Sequence, residues 1–277
     1  MLRACVIGWP VEHSRSPLIH GYWLAEHGID GAYEKEAVRP EDLAEFLQTL
    51  EERGYVGANV TLPHKEAALR AARSADAAAI AMGAANTLWL DPEGTLHAAN
   101  TDAYGFLTNL DAHAPEWNEG TGGVLVLGAG GAARAILYGL ITAGAPKIFL
   151  ANRTSARASS LAKLFGPQVE AIDWNGRDAA LAGCSLLVNT TSLGMTGQAP
   201  LHIDLAALPA HAVVADLVYN PLETDLLATA RARGLTAVDG LGMLLHQAVP
   251  GFERWFGVRP EVTPDLRARV AATLEAA

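Results

Sequence analysis

At 277 residues, half of them hydrophobic and only 18% charged, the chain carries enough apolar material for two buried cores rather than one. Its formal charge of −10 at pH 7, uninterrupted by any basic run, excludes a nucleic-acid or anionic-membrane surface. Cys5 and Cys184 sit in apolar strand-like runs without metal-ligand spacing, no apolar stretch is long enough for a bilayer, and no basic-then-apolar leader opens the chain. A reduced, cytoplasmic protein is therefore expected, with neither membrane nor nucleic-acid partner.

Runs rich in Val, Ile and Leu alternate with amphipathic stretches from end to end, the α/β pattern of parallel sheets covered on both faces. Strands are expected near 3–8, 32–37, 57–61, 86–90 and 96–99, with helices near 16–27, 41–53, 63–72 and 102–111 and an Ala-rich helical stretch at 67–85. Gly8 to Pro17 follows the first strand, and Ser16-Pro17 reads as an N-cap and first helical residue. Ser14 and Ser16 either present two hydroxyls to an anion there or merely cap the helix.

The next turn holds a lysine in an awkward place. Pro63 suits the start of a helix, so Lys65 falls in its first turn, at the positive end of the dipole. Read alone, it is a solvated lysine on a frayed turn. Asp102, in Asn100-Thr101-Asp102, is an ordinary helix-capping type, yet it and Lys65 both follow strands, where α/β sheets place their ligands. Asn86 is a third polar residue beside a strand.

Polar, aperiodic Asp111 to Gly123 reads as a domain boundary. Beyond it come strands at 124–127, 147–151, 169–172, 185–189, 212–216 and 236–238, helices at 131–143, 155–165 and 223–233, and two closing helices at 242–256 and 264–276. The expected division is 1–111, 112–240 and a C-terminal 241–277 that returns to the first domain, with a cleft between the two domains.

Val124 to Leu127 runs directly into Gly128-Ala129-Gly130-Gly131-Ala132-Ala133 at the start of a helix, the dinucleotide fingerprint. Gly128 permits the turn, and Gly130 lets backbone approach a pyrophosphate at the helix N-terminus. The second strand ends in Asn152-Arg153-Thr154, with Arg157 a turn later and no carboxylate for a ribose hydroxyl. Two guanidinium groups suit a 2′-phosphate, so NADP is expected over NAD. The plainer alternative is a basic loop with Thr154 or Ser155 as a cap. His13, His20, His64 and His246 lack metal-binding spacing, and no metal is assigned.

Taken together, Gly-x-Pro-x-x-His-Ser-x-Ser-Pro (8–17), Asn-Val-Thr-x-Pro-x-Lys (59–65), Gly-Ala-x-Asn-Thr (83–87), Asn-Thr-Asp-x-x-Gly (100–105), the glycine fingerprint (128–133), Asn-Arg-Thr (152–154), Asn-Thr-Thr-Ser-Leu-Gly-Met (189–195), Asp-Leu-Val-Tyr-Asn-Pro (216–221) and Asp-Gly-Leu-Gly-Met-Leu-Leu-His-Gln (239–247) resemble the shikimate dehydrogenase family over nearly the whole chain. The resemblance implies a two-domain α/β fold with a Rossmann-type domain, and NADP-linked, reversible reduction of 3-dehydroshikimate to shikimate. It implies Lys65 and Asp102 as the catalytic pair, and Ser14, Ser16, Thr61, Asn86, Tyr219 and Gln247 as substrate contacts. Gly128, Ala129, Gly130, Gly131, Ala132, Asn152, Arg153, Thr154, Arg157, Leu217, Gly240 and Met243 would line the cofactor. The partner expected is a small-molecule substrate, with a homodimer left open. Two positions depart from the family pattern: Gly21 stands where Asn is frequent, and Ala77 where an acid is frequent, with Asp76 beside it.

Overall fold

The computed structural model describes residues 1–119 and 122–275. Its elements in chain order are β1 (Leu2–Gly8), α1 (Ser16–Glu26), β2 (Gly31–Ala37), α2 (Leu43–Gln48), β3 (Gly57–Val60), α3 (Lys65–Ala71), β4 (Ser74–Ala75), α4 (Ala77–Met82), β5 (Thr87–Leu90), β6 (Leu96–Ala99) and α5 (Asp102–His113). They continue with β7 (Gly123–Leu127), α6 (Gly131–Thr142), β8 (Ile148–Ala151), α7 (Ser155–Phe165), β9 (Val169–Ile172), α8 (Arg177–Ala180), β10 (Cys184–Asn189), β11 (Val213–Asp216), α9 (Asp225–Ala232), β12 (Thr236–Val238), α10 (Leu241–His246), α11 (Val249–Phe256) and α12 (Pro264–Glu275).

Two compact units result, one of Met1–Asp102 with Gln247–Val270, the other of Ala103–His246 with the chain from Ala271 onward. The division falls at Asp102, at the start of α5, rather than in the polar segment after 111. That segment lacks helical periodicity, but α5 before it already packs Phe106 and Leu110 into the core of the second unit.

The first unit holds a six-stranded sheet in the order β2-β1-β3-β5-β6-β4. Strands β2, β1 and β3 are parallel, whereas β5 runs antiparallel to both β3 and β6. The expectation of a parallel sheet fails here for a local reason. Only Asp91 to Thr95 joins β5 to β6, too short for a crossover, and the Asp91 carboxylate accepts the Thr95 N–H at 2.7 Å to close the turn. Alternation along β1 sends Cys5 and Ile7 to a core shared with Leu43, Phe46, Leu47 and Leu50. Ala4 and Val6 are equally buried on the other side. Gly57 leaves room for Trp255 of α11, whose indole N–H donates to the Leu88 carbonyl at 2.9 Å.

The second unit is a six-stranded, wholly parallel sheet, β12-β11-β10-β7-β8-β9. Both faces are covered, so β7 is buried at every position, Val124 and Val126 toward α6, Leu125 and Leu127 toward Leu226 and Leu227 of α9.

Several boundaries move. Pro63 is not a first helical residue: Thr61 to His64 form a turn containing a cis Leu62–Pro63 bond and closed by the His64 N–H on Thr61 O at 3.0 Å, so α3 opens at Lys65 itself. The Ala-rich stretch is not one helix. Arg73 and Asp76 donate their N–H groups to the Leu96 and Ala98 carbonyls, making β4 an edge strand, and this pairing overrides alanine propensity. The helix expected at 242–256 breaks after His246, and α11 restarts with Pro250 in its first turn. Helix α1 starts at Ser16 with Arg15 at the cap position, so Ser16 is the first helical residue rather than the cap.

Candidate active site

Lys65 is placed by backbone on both sides. The Thr61 N–H bonds Ile7 O at 2.9 Å, extending the β1–β3 ladder one step past β3, and the Lys65 carbonyl accepts the Ala85 N–H at 2.9 Å. The buried His64 ring bonds the Val38 carbonyl through Nε2 at 2.7 Å, so it serves the backbone. From this anchored turn the Lys65 ammonium donates to Asp102 Oδ2 at 2.7 Å. Both side chains are mostly withdrawn from water yet still reachable, at 28% and 19% exposure.

Asp102 is the first residue of α5, where the helix dipole favours an anion. Its carboxylate does not cap that helix. Oδ2 takes the Lys65 proton donor, Oδ1 takes the Asn86 amide Nδ2 at 2.8 Å, and the Asp102 N–H is bonded instead to Asn100 Oδ1 at 3.0 Å. Asn86 is buried and held at its other end, its Oδ1 accepting the Thr101 N–H at 2.9 Å and the Thr87 hydroxyl at 3.0 Å. Its second amide hydrogen faces Gln247 Oε1 at 3.4 Å, and the Gln247 carbonyl accepts the Thr101 hydroxyl at 2.8 Å. Four residues remote in sequence thus form one network: Lys65, Asn86, Asp102 and Gln247.

Asn59 supports this network and is absent from the residues inferred above. It is buried in β3, donating to the Asn86 carbonyl at 3.2 Å and accepting the Tyr33 hydroxyl at 2.5 Å. A polar residue inside a four-residue strand that is otherwise small and apolar was the available signal. Asp76, beside the departure at Ala77, caps α4 by accepting the Ala79 N–H at 2.7 Å.

Ser14 and Ser16 are linked to each other, the Ser14 hydroxyl accepting the Ser16 N–H at 3.3 Å. Ser14 therefore does part of the capping work and is half-buried, while Ser16 is buried against Tyr33. The Thr61 hydroxyl is different: no described residue bonds it, and it is not sealed from water. Tyr219 belongs to the second unit, in the turn after β11.

The second unit carries the glycine turn. Gly128 follows β7 at φ +106°, a left-handed conformation, and a Cβ there would meet Thr190 Oγ1 at 2.5 Å. Gly130 and Gly131 are glycine for another reason. A Cβ at either would find no atom within 4 Å, so packing does not exclude a side chain. Both are exposed at the N-terminus of α6, and Gly130 at its cap offers no side chain to the free N–H groups. Such a cradle fits a pyrophosphate. Ala133 is fully buried against the sheet, as a helix this close requires.

Asn152 follows β8 and uses its amide on the Thr154 carbonyl at 2.9 Å. Thr154 occupies the cap position of α7 without a capping bond, so the plain capping alternative does not account for it. Arg153 and Arg157 are exposed and make no side-chain hydrogen bond or ion pair with the described residues. Arg157 borders a pocket of about 400 Å³ that also contacts Ala129, Arg134 and Ser160. No carboxylate closes β8, so this corner fits a phosphorylated ribose better than a free one.

Leu217 and Gly240 meet where β11 and β12 end. A Cβ at Gly240 would lie 2.2 Å from the Leu217 carbonyl oxygen, so only glycine permits that approach. Met243, on α10, packs partly against the core, and the Asp239 carboxylate caps α10 through the Leu241 N–H at 3.0 Å. The Leu217 turn is set from below by Asp216, a buried carboxylate bonded by Asn189, Thr224 and the Val218 N–H. Burial raises its pKa above the usual range, while those three bonds pull it back down.

Comparison with known proteins agrees with this layout. The family model for the shikimate dehydrogenase substrate binding domain matches residues 6–88, that for shikimate / quinate 5-dehydrogenase matches 116–195, and that for the shikimate 5′-dehydrogenase C-terminal domain matches 240–268. The shikimate dehydrogenase (NADP(+)) of Rhodopseudomonas palustris is 60% identical over 271 residues, spanning 98% of this chain and 96% of that protein. The corresponding protein of Azorhizobium caulinodans is 57% identical over 276 residues, spanning 100% and 98%. Among solved structures, shikimate 5-dehydrogenase from Thermus thermophilus in complex with NADP(H) and shikimate superimposes with a TM-score of 0.86 at 37% identity, covering 99% of this chain and 100% of that one. Quinate dehydrogenase from Corynebacterium glutamicum in complex with NAD gives 0.90 at 30%, covering 98% and 99%. With identities of this size over essentially its full length, the chain belongs to the shikimate dehydrogenase family.

Proposed function

We propose that the protein is an NADP-dependent shikimate dehydrogenase that reversibly reduces 3-dehydroshikimate to shikimate, with Lys65 and Asp102 as its catalytic pair. The observation that carries this reading is the 2.7 Å bond from Lys65 Nζ to Asp102 Oδ2, formed where two strands end and still open to solvent. Bound NADPH supplies the hydride to the ring carbonyl. The carbonyl oxygen then needs a proton, and the Lys65 ammonium donates one from Nζ; in the reverse direction the amine takes it back from the hydroxyl. Asp102 holds that ammonium in place and is itself held by Asn86.

The substrate is a monoanion with several ring hydroxyls. Ser14, Ser16 and Tyr219 receive its carboxylate, and Thr61, Asn86 and Gln247 its hydroxyls. The Thr61 hydroxyl, which no described residue bonds, supports such an assignment, because a donor left without a partner is available to a ligand. In the second unit Gly128 to Ala132 hold the pyrophosphate, Asn152, Arg153, Thr154 and Arg157 the 2′-phosphate, and Leu217, Gly240 and Met243 line the rest of the cofactor. We place the enzyme in the cytoplasm, in keeping with two buried, unpaired cysteines.

Purified protein mixed with shikimate and NADP+ should generate the reduced-nicotinamide absorbance. If NADP+ raises the melting temperature but no absorbance develops even at high protein concentration, the protein is a binding protein on this fold and not the enzyme. NADP+ should also be preferred to NAD+, since no carboxylate stands at the end of β8.

A further inference from the structure

Gly8 ends β1, is buried, and has an ordinary backbone conformation, so nothing in its φ angle calls for glycine. Its reason is steric. A Cβ built there would lie 2.4 Å from Thr61 Cγ2, and only 3.2 Å from the Leu62 carbonyl oxygen. The Thr61 methyl thus occupies the space a side chain at position 8 would fill. A β-branched residue has few χ1 choices, and one whose methyl is seated in a neighbour's vacancy has lost the others. The backbone around this contact is fixed on both flanks, by Thr61 N–H to Ile7 O at 2.9 Å and Trp9 N–H to Leu62 O at 3.0 Å. The Thr61 hydroxyl meanwhile has no partner among the described residues to orient it.

We propose that Gly8 is a positioning residue for substrate binding: its missing side chain seats the Thr61 methyl and thereby holds the Thr61 hydroxyl in the rotamer that meets a substrate hydroxyl. The inference rests on the reading of Thr61 as a substrate contact. It makes Gly8 and Thr61 an exchangeable pair, in which one methyl group is needed in the shared space but either residue can supply it.

The test is a double-mutant cycle read in KM for shikimate, with kcat, KM for NADP+ and melting temperature measured alongside. Gly8→Ala should raise KM for shikimate about five- to tenfold, the loss of roughly one hydrogen bond, with KM for NADP+ unchanged. Thr61→Ser keeps the hydroxyl but empties the space, and should raise KM by a few-fold. Combined, G8A and T61S refill the space with the alanine methyl, and KM should return to within about twofold of the wild-type value. Effects that multiply in the double variant overturn the proposal, as does a Gly8→Ala enzyme with unaltered KM. A purely structural role would move melting temperature without the return in KM. Thr61→Val separates the two layers: no change in KM there removes Thr61 as a contact and Gly8 with it, whereas a raised KM beside a silent Gly8→Ala removes only the positioning role.

Discussion

Lys65 stands where its own helix disfavours it, since a cation at the first residue of α3 faces the positive end of the dipole at a cost of about 0.3–1 kcal/mol. Asp102 offsets this from a position its own helix favours, so the dipole of α5 and the 2.7 Å bond hold the pair against the dipole of α3. Removing the ammonium takes away the proton donor but none of the groups assigned to hold the substrate. Lys65→Ala should therefore lower kcat about 10²–10⁴-fold with KM for shikimate within a few-fold. Steady-state kinetics decide it, and a KM that rises steeply while kcat holds would recast Lys65 as a binding group. Arg153 offers the second single-residue case. Its guanidinium is exposed and unpaired with described residues, so its truncation disturbs no internal contact. Arg153→Ala should weaken NADPH about tenfold or more and NADH hardly at all; equal losses in a binding titration would refute the 2′-phosphate assignment. Residues of this kind were legible because their chemistry is odd for their place. Asn59 offered only a polar residue in an apolar strand, and what it and Thr101 hold, Asn86, lies far along the chain from each.

At the level of elements, long-range partners decide where local signals stop. The parallel strands β7 and β8 are apolar throughout, and β10 and β11 are apolar apart from Ser185, Asn189 and Asp216, so all four were readable from their runs of apolar residues. The two-residue β4 was not, because it exists only by pairing with β6. Helix α1 shows a subtler case. His20 stands in it between apolar neighbours and packs into an aromatic cluster, stacked on Tyr33 at 4.0 Å and edge-on to Trp23 at 5.6 Å. Neither ring nitrogen reaches hydrogen-bond geometry with any described residue, Asn59 nearby included. Burial pushes its pKa down to about 3, with Asn59 acting weakly the other way. The unfolded chain takes up this proton near pH 6.5, the folded one only near 3, so the unfolded state binds more protons between those values and stability falls as pH drops through that window. By pH 5 the loss from this one residue is about 2 kcal/mol. His20→Phe keeps the ring and removes the titration. Denaturant unfolding at pH 7.5 and pH 5 should show a gap between the two pH values smaller by about 2 kcal/mol in the variant. Equal gaps in the two proteins would mean that His20 finds a proton-compatible partner in the folded state.

On the scale of the whole molecule, the chain order of the motifs does not follow the units. The first unit is completed by Gln247–Val270, which returns after all six strands of the second sheet have been laid down. Gln247 thereby reaches Asn86 although 161 positions separate them. That the chain has two cores was legible in its apolar content, and the glycine turn located the second. The return was expected only from the place of the closing helices after the last strand, because the contacts that make it, such as Trp255 on Leu88 and Trp23 on Glu261, join residues with no pattern in common. The groups assigned to shikimate fall mainly in the first unit, in 14–16, 59–65, 86 and 102, while the glycine turn and 152–157 fall in the second. Each ligand should then protect its own set of amides when the other is absent. Shikimate alone should slow hydrogen exchange in 14–16 and 59–65 and leave 128–134 and 152–157 at the rate of the free protein. NADP+ alone should do the reverse for 152–157 and 14–16. The amides at 130–133 are the sharpest reporters, because those at the start of α6, before the Arg134 N–H closes the first turn on the Gly130 carbonyl, have no acceptor within the helix and exchange freely until an anion takes them. Shikimate that protected the glycine turn without cofactor would show that the two ligands do not divide between the units in this way, and the assignment of residues to substrate and cofactor would have to be redrawn.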